Sequence, residues 1–400
     1  MQQIDVVMVG LGYIGLPTAA LMGGKGLKVH GVDINPLVID TINAGKIHIV
    51  EPDLAGLVHH TVNSGFLRAS TQPATAPVYL IAVPTPFKND HEPDISYVMD
   101  AGRNLAPFLN EGALVVLEST SPVRTTEKLK ELLDDLRPEL RNKYFIAYCP
   151  ERVLPGNVIY ELEHNDRVIG GIDDASTEKA MAFYSRFIKG TLHPTTARTA
   201  EMCKLVENSY RDVNIAFANE LSLICDEAGI NVWQLIHLAN KHPRVNVLQP
   251  SSGVGGHCIA VDPWFIVHDF PKQAKMIRAA REVNNYKSAW VFEKVRNTAL
   301  EFELKNGRKP LIACMGLAFK PNIDDLRESP ALEITHKLVE AGFNIEAVEP
   351  NIQSIQGIKL TDIPTALRDA DILAYFVGHS QFKKENTDKI LLDFCGILNR

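Results

Sequence analysis

The residues of this chain with types and spacing suited to chemistry fall into four groups. The first is Gly10-Leu11-Gly12-Tyr13-Ile14-Gly15, with Asp33 lying 21 residues beyond Gly12. Glycines so spaced permit a tight turn at Gly10, approach of backbone N–H groups to a pyrophosphate at Gly12 and close helix–strand packing at Gly15. An acid at that distance meets a ribose hydroxyl and repels a 2′-phosphate, so the expected cofactor is NAD. The second group, Glu201, Lys204, Asn208 and Arg211, recurs at spacings of 3, 4 and 3 and falls along one side of a helix. Such a stripe is commonly a solvated face, but an amide between two cations suits an oxygen-rich ligand better than charge pairing.

The third group sits in Pro250-Ser251-Ser252-Gly253-Val254-Gly255-Gly256-His257-Cys258-Ile259-Ala260-Val261-Asp262-Pro263. Glycines leave the backbone open to a ligand, and Cys258 stands beside them with Asp262 four residues on. A thiol in that place is a candidate nucleophile, although a lone cysteine is as readily an inert buried residue. His257 and Cys258 as metal ligands lack a second pair at ligand spacing. The fourth group is Pro84-Thr85-Pro86 and Glu118-Ser119-Thr120, each directly after a buried-strand pattern, where loops carry sites in α/β sheets.

These groups need a scaffold, and hydrophobic periodicity supplies one. Strands are expected at 4–9, 27–32, 78–83, 113–117 and 144–147, with a helix through 18–22. Apolar residues at helical spacing with almost no Gly or Pro predict one or two long helices across 199–240. After Asn306-Gly307 a second pattern begins, with strands at 311–315, 343–348 and 372–377 and a helix at 331–340. Gly316-Leu317-Ala318-Phe319-Lys320 lacks the three-glycine spacing, so this part is not a close repeat of the first. The expected fold class is α/β, two Rossmann-like doubly wound domains joined by a long central helical segment. The expected division is 1–190 for NAD, 191–305 for the helices and the glycine-rich cysteine loop, and 306–400 for the second α/β domain.

Composition narrows the function classes. Of 400 residues, 46% are hydrophobic and 22% charged, which excludes disordered and fibrous chains. Forty-one Lys and Arg against 48 Asp and Glu give −7, with no basic excess for nucleic acid or an anionic membrane. The six cysteines, at 149, 203, 225, 258, 314 and 395, include no CxxC pair, so reduced thiols and no metal are expected. Residues 1–10 run as a strand into a glycine turn rather than as a signal peptide, and no apolar run nears the ~18 residues of a membrane span. A cytoplasmic protein is expected.

Taken together, the motifs resemble the nucleotide-sugar 6-dehydrogenases, which include UDP-glucose and GDP-mannose dehydrogenases. The resemblance rests on residues 10–17, 84–86 and 118–120, Cys149-Pro150-Glu151-Arg152, Lys204 with Asn208, Gly255-Gly256-His257-Cys258 with Asp262, and 316–322 with Asp325, Arg327, Ser329 and Pro330. Runs 47–54, 149–156, 212–220 and 254–265 are similar to the branch acting on N-acetylhexosamine nucleotides. The resemblance implies oxidation of a primary 6-hydroxyl to a carboxylate, two NAD being used in turn while Cys258 holds the substrate as thiohemiacetal and then thioester. It implies catalytic roles for Cys258, Lys204, Asn208, Asp262, Glu151 and Thr120. Cofactor contacts would come from Gly10, Gly12, Tyr13, Ile14, Gly15, Asp33, Thr85, Thr126 and Arg327. A UDP-sugar would meet Arg152, Val153, Lys204, Asn208, Arg211, His242, Arg244, Gly255, Phe319 and Lys320, within a homodimer in which Arg244 reaches the neighbouring site. Such uronates feed surface polysaccharides.

Two positions depart from the family pattern. Pro155 stands where UDP-glucose dehydrogenases carry a second glutamate, and Cys395 where many relatives have a basic residue. Two rival functions remain open: a two-electron hydroxyacid dehydrogenase, which also places Lys and Asn four apart on a helix, and a catalytically silent NAD-binding sensor. The first needs neither Cys258 nor the C-terminal domain, and the second would be expected to have lost one of Lys204, Asn208, Cys258 and Asp262.

Overall fold

The computed structural model describes residues 3–49, 51–89, 91–153, 156–256, 258–383 and 388–397. The chain divides into two compact units, 1–207 and 208–400.

The first unit is built on an eight-stranded sheet. Its strands are β1 (Val6–Val9), β2 (Val29–Val32), β3 (Leu67–Ser70), β4 (Val78–Ile81), β7 (Leu114–Leu117), β8 (Phe145–Tyr148), β9 (Arg167–Gly171) and β10 (Leu192–Thr196), in the order β10-β9-β8-β7-β4-β1-β2-β3. All neighbours are parallel except β8 and β9. A two-stranded ribbon, β5 (Phe87–Lys88) with β6 (Glu92–Pro93), stands outside this sheet. β1, β4 and β7 read Val-Val-Met-Val, Val-Tyr-Leu-Ile and Leu-Val-Val-Leu and are buried on both faces, as a helix-covered parallel sheet requires. Alternation divides β1 between two cores, Val6 and Met8 on one face and Val7 and Val9 on the other. The covering helices are α1 (Gly15–Gly24), α2 (Pro36–Asn43), α3 (Leu54–Asn63), α4 (Ser96–Leu105), α5 (Thr125–Leu136), α6 (Val158–His164) and α7 (Asp174–Tyr184). Strand order reverses between β1 and β4, so the carboxyl ends of these two strands flank the crevice where such sheets bind ligands.

Helix α8 (Ala197–Ala228) is 32 residues long, about 48 Å at 1.5 Å per residue, and contains the division between the units. The second unit continues with α9 (Val232–Ala239), α10 (Asp262–Asp269), α11 (Lys275–Asn306), β11 (Leu311–Met315), α12 (Pro330–Glu340), β12 (Asn344–Val348), α13 (Ile363–Asp369), β13 (Ile372–Tyr375) and β14 (Ile390–Asp393). Its four strands are parallel in the order β12-β11-β13-β14. Ile312 and Cys314 face one core, Ala313 and Met315 the other. Gly307 ends α11 in the left-handed region at φ 65°, where an L side chain is strained. The strand patterns read from sequence are present, and the one or two long helices expected across 199–240 are one long helix, α8, followed by the short α9. Strands β3, β9, β10 and β14 and the long α11 were not expected. Leu67-Arg68-Ala69-Ser70 and Leu192-His193-Pro194-Thr195-Thr196 are short and polar, and α11 has charged residues interspersed along its whole length, so none carries a strong apolar period. Among the described residues no helix is long and apolar enough to cross a membrane.

Candidate active site

In the first unit the glycine turn separates into two kinds of position. Gly10 has φ +91°, and a Cβ there would lie 2.3 Å from the Ala82 carbonyl oxygen; one on Gly15 would lie 1.8 Å from the Gly10 oxygen. Both are glycine because the fold leaves no room. A Cβ on Gly12 would meet nothing within 4 Å, so no protein atom demands glycine there. Open space over the start of a helix that no side chain caps fits a pyrophosphate. Asp33, at the end of β2, accepts the Leu11 N–H at 3.0 Å with Oδ2 and the Asn35 N–H at 2.9 Å with Oδ1. It therefore holds the turn closed while remaining half-exposed, with acceptor capacity left for a ribose hydroxyl. Tyr13 is exposed and Ile14 half-buried beside it.

The strand-end loops are laced together. Thr85 Oγ1 donates to the Thr120 carbonyl at 2.6 Å, and the Val83 N–H donates to Ser119 Oγ at 2.9 Å. Glu151, just past β8, is buried and forms an ion pair with Arg167 at 2.7 Å. Arg152 forks onto Glu207 at 2.7 and 3.1 Å, and Val153 is half-buried next to it. Neither Arg167 nor Glu207 was singled out from sequence, since a lone Arg opening a strand and a Glu on a charged helix carry no local signal.

The stripe on α8 does not act as one face. Glu201 is fully buried and accepts the N–H groups of Arg124 at 2.6 Å and Thr126 at 2.8 Å and the Thr126 hydroxyl at 2.7 Å. It caps α5 from a distance, and the Thr126 hydroxyl is spent on it, so Thr126 meets no ligand through that group in this arrangement. Lys204 and Asn208 are half-buried one helical turn apart, and Arg211 is exposed.

In the second unit Asn208 Nδ2 donates to Asp262 Oδ2 at 2.5 Å, and the Asp262 N–H donates to the Cys258 carbonyl at 2.9 Å. Cys258 is exposed, whereas Cys149 and Cys314 are buried and burial pushes each thiol up to about 12. Cys258 is thus open to a reactant, and those two, buried and held protonated, are not. The glycines ahead of it lie against the loop after β11. A Cβ on Gly255 would strike the Glu328 carbonyl oxygen at 2.3 Å, and one on Gly256 would sit 3.0 Å from the Phe319 ring. Lys320 Nζ stands 5.6 Å over that ring, and exposed Arg327 forks onto Asp325 at 2.7 to 3.1 Å. The structure so brings Asn208, Asp262, Cys258, Gly255 and Phe319 together. His242 and Arg244 are exposed, the Arg244 N–H donating to His242 Nδ1 at 3.3 Å. Pro155 and His257 lie outside the described residues, among which no three His, Cys, Asp or Glu side chains gather as metal ligands.

A second glycine turn follows β11. The Gly316 N–H donates to the Val348 carbonyl at 2.8 Å, and Leu317 and Ala318 N–H groups donate to Glu349 Oε2 at 2.7 and 3.0 Å. The first turn has the same plan, Gly10 to Val32 at 2.8 Å and Leu11 to Asp33. Glu349, however, is buried, and His379 Nε2 lies 3.0 Å from the same oxygen.

Residues 4–188 match the NAD binding domain of the UDP-glucose/GDP-mannose dehydrogenase family, 198–286 its central domain and 313–400 its UDP binding domain. The chain is 56% identical to the UDP-N-acetyl-D-mannosamine dehydrogenase of Escherichia coli (strain K12), over 96% of each chain. It is 53% identical to the NDP-N-acetyl-D-galactosaminuronic acid dehydrogenase of Ralstonia nicotianae, over 96% of this chain and 93% of that one. The solved structure of the UDP-N-acetyl-mannosamine dehydrogenase from S. aureus superposes with a TM-score of 0.87 at 39% identity, covering 99% of this chain and 96% of the other. A cradle for a dinucleotide, an exposed cysteine beside Asp262 and three consecutive domain matches converge: the chain belongs to the UDP-glucose/GDP-mannose dehydrogenase family and is an NAD-dependent nucleotide-sugar dehydrogenase.

Proposed function

We propose that the substrate is UDP-N-acetyl-D-mannosamine and that its 6-hydroxyl is carried through four electrons to UDP-N-acetyl-D-mannosaminuronate. The observation that carries the chemistry is exposed Cys258, four residues before Asp262, whose carboxylate accepts the Asn208 amide. Identity of 56% with an enzyme named for that sugar supports the substrate. Bound NAD supplies a hydride acceptor for each oxidation. Lys204 exchanges the proton of the 6-oxygen, and Asn208 donates to that oxygen as charge develops on it, while Asp262 orients Asn208. The Cys258 thiolate adds to the aldehyde carbon, giving a thiohemiacetal whose oxygen takes up a proton. Loss of a second hydride and that proton leaves a thioester. Water, held by Thr120 and Glu151, adds to the thioester carbon; its proton passes to Glu151, the carbon–sulfur bond breaks, and the thiolate is restored.

Gly10, Gly12, Tyr13, Ile14, Gly15, Asp33, Thr85 and Arg327 hold the cofactor, with Thr126 acting through the α5 end that Glu201 fixes. Arg152, Val153, Arg211, His242, Gly255, Phe319 and Lys320 hold the UDP-sugar, and Arg244 of one protomer serves the site of a partner in a cytoplasmic homodimer. The work is shared by residues 1–190, 191–305 and 306–400, and the product feeds surface polysaccharide. The relative at 53% identity favours a second sugar of the N-acetylhexosamine class. NADH yield per limiting sugar, for wild type and Cys258→Ser, decides among UDP-N-acetylmannosamine, UDP-N-acetylglucosamine, UDP-N-acetylgalactosamine and UDP-glucose. Two NADH per UDP-N-acetylmannosamine, lost in the variant, is expected. One NADH with free aldehyde would overturn the four-electron route, and a preferred yield with another sugar would overturn the substrate.

A further inference from the structure

Behind Thr120 and Glu151 the first unit buries a cluster that the chemistry above leaves unused. β7 and β8 pair with Leu117 opposite Tyr148, and the Cys149 N–H donates to the Leu117 carbonyl at 3.0 Å. Glu118 and Cys149 are therefore neighbours one step past the strand ends, and two residues further the chains reach Thr120 and Glu151. Glu118 is 4% exposed; its Oε1 accepts the Tyr184 hydroxyl at 2.5 Å, and its Oε2 has no partner. Arg167, 2% exposed, gives one terminal nitrogen to Glu151, and its Nε has no partner either. One cluster thus contains an unmatched buried acceptor and an unmatched buried donor.

Its charges are also unequal. The groups facing Glu118 are Arg167 from β9, Tyr184 from α7, and Glu151 and Cys149 from the end of β8. Burial holds the Cys149 thiol at about 12 and the Tyr184 hydroxyl well above its usual range, so both are neutral. One guanidinium is left for two carboxyl groups. Burial raises Glu118 to about 7 against the pull of Arg167 and the Tyr184 hydroxyl, with Glu151 reinforcing the rise.

We propose that Glu118 is a positioning residue for the hydrolytic step: protonated, it leaves Arg167 paired with Glu151, and ionised, it draws the open Nε of Arg167 and frees Glu151 to take a proton from water. This rests on Glu151 acting as the base for the thioester. Ionising Glu118 offers both orphaned atoms a partner at once and draws the guanidinium away from the Glu151 oxygen it holds at 2.7 Å. Hydrolysis then quickens as pH rises through the Glu118 titration.

The test uses the full-length enzyme as wild type, Glu118→Gln and Tyr184→Phe. Infrared difference spectra without substrate should show a protonated carboxyl that titrates near the value set by burial, about 7, and vanishes in Glu118→Gln. Steady-state rates with saturating sugar and NAD should climb through the same midpoint in wild type, by up to about tenfold per pH unit on its acid side. That rise should be absent in Glu118→Gln, whose Cys258 should accumulate an acyl mass increment. Loss of the Tyr184 hydroxyl, which lowers the Glu118 value, should move both midpoints to higher pH; this arm keeps the carboxyl and stands if the amide variant fails to fold. A Glu118→Gln profile that follows wild type, or a carboxyl that does not titrate, overturns the proposal. One NADH per sugar in wild type sinks the four-electron route and with it the hydrolytic step that Glu118 would position, whereas two NADH with a Glu118→Gln profile that follows wild type sinks the role of Glu118 alone.

Discussion

Asn208 Nδ2 lies 2.5 Å from Asp262 Oδ2, so within the second unit α8 is tied by a hydrogen bond to the turn that carries Cys258. Asp262 is 3% exposed, and removing Asn208 takes one hydrogen bond away from a buried carboxylate. Asn208→Ala should cost about 1–3 kcal/mol in unfolding free energy. It should lower kcat far more than it changes KM for the sugar. Chemical denaturation and steady-state kinetics check the two effects; an unchanged kcat would remove Asn208 from the site.

The three glycines of the first turn should respond differently. Gly15→Ala places a Cβ against the Gly10 oxygen and should fail to fold or lose several degrees of Tm. Gly12→Ala meets no protein atom, so its Tm should match wild type while NAD binding weakens by about tenfold or more. Calorimetric titration with NAD beside thermal melts separates the two. Equal NAD affinity in Gly12→Ala would mean that the pyrophosphate does not approach that residue.

Glu201 is fully buried with three hydrogen bonds into the start of α5. Burial raises its carboxyl above the ordinary range, the bonds from Thr126 and Arg124 opposing the rise. Glu201→Gln keeps the shape but replaces one acceptor oxygen with a donor facing N–H groups. A loss of about 1–3 kcal/mol is expected, with any fall in NAD affinity following from it. Full stability in the variant would show the cap to be dispensable.

A ladder in the second unit leads to the cysteine loop. Arg281 donates to Asp212 at 2.7 Å, Asn284 to Asp212 at 2.8 Å, Asn219 to Asn284 at 2.8 Å, and Asn219 Oδ1 accepts the Ser251 N–H at 2.9 Å. Asn219→Ala cuts the last rung. Its kcat should fall while Cys258 still reacts with iodoacetamide, because the thiol remains exposed but is no longer held in register. Retention of kcat would show that the glycine contacts with Phe319 and Glu328 suffice.

Glu118 also ties stability to pH. Its folded value, about 7, lies above the ordinary 4.5, so the native state holds the proton more tightly than the unfolded chain does. The favourable contribution is present below about 4.5, declines as pH climbs toward 7 and is lost above it, a change of about 3 kcal/mol. Glu118→Gln should therefore gain on wild type between pH 5 and 7, as read by urea midpoints across about that window. Parallel curves would contradict the raised value.

Legibility in the sequence followed the range of the interaction. The dinucleotide turn was visible because its glycines and Asp33 answer to local geometry, and Lys204 with Asn208 because helix spacing is local too. Glu201 shows the limit: the same spacing put it on the ligand side, yet α5, 75 residues earlier at Thr126, claims it. Arg167 and Tyr184 acquire meaning only when β9 runs antiparallel beside β8 and α7 packs behind it. A short, glycine-ended strand such as Arg167–Gly171, with only Val168 and Ile169 apolar between Arg167 and two glycines, offers no period from which to foresee that pairing.

The two glycine turns share one local plan, but the acid that closes each is set in a different medium. Asp33 keeps one flank toward water, an open socket for a sugar hydroxyl; Glu349 has its socket plugged by the His379 imidazole. A single architectural joint thereby yields one berth that can recognise a ribose through its acid and one that cannot. Without any change of fold, the acid of the second joint is already committed to its own chain.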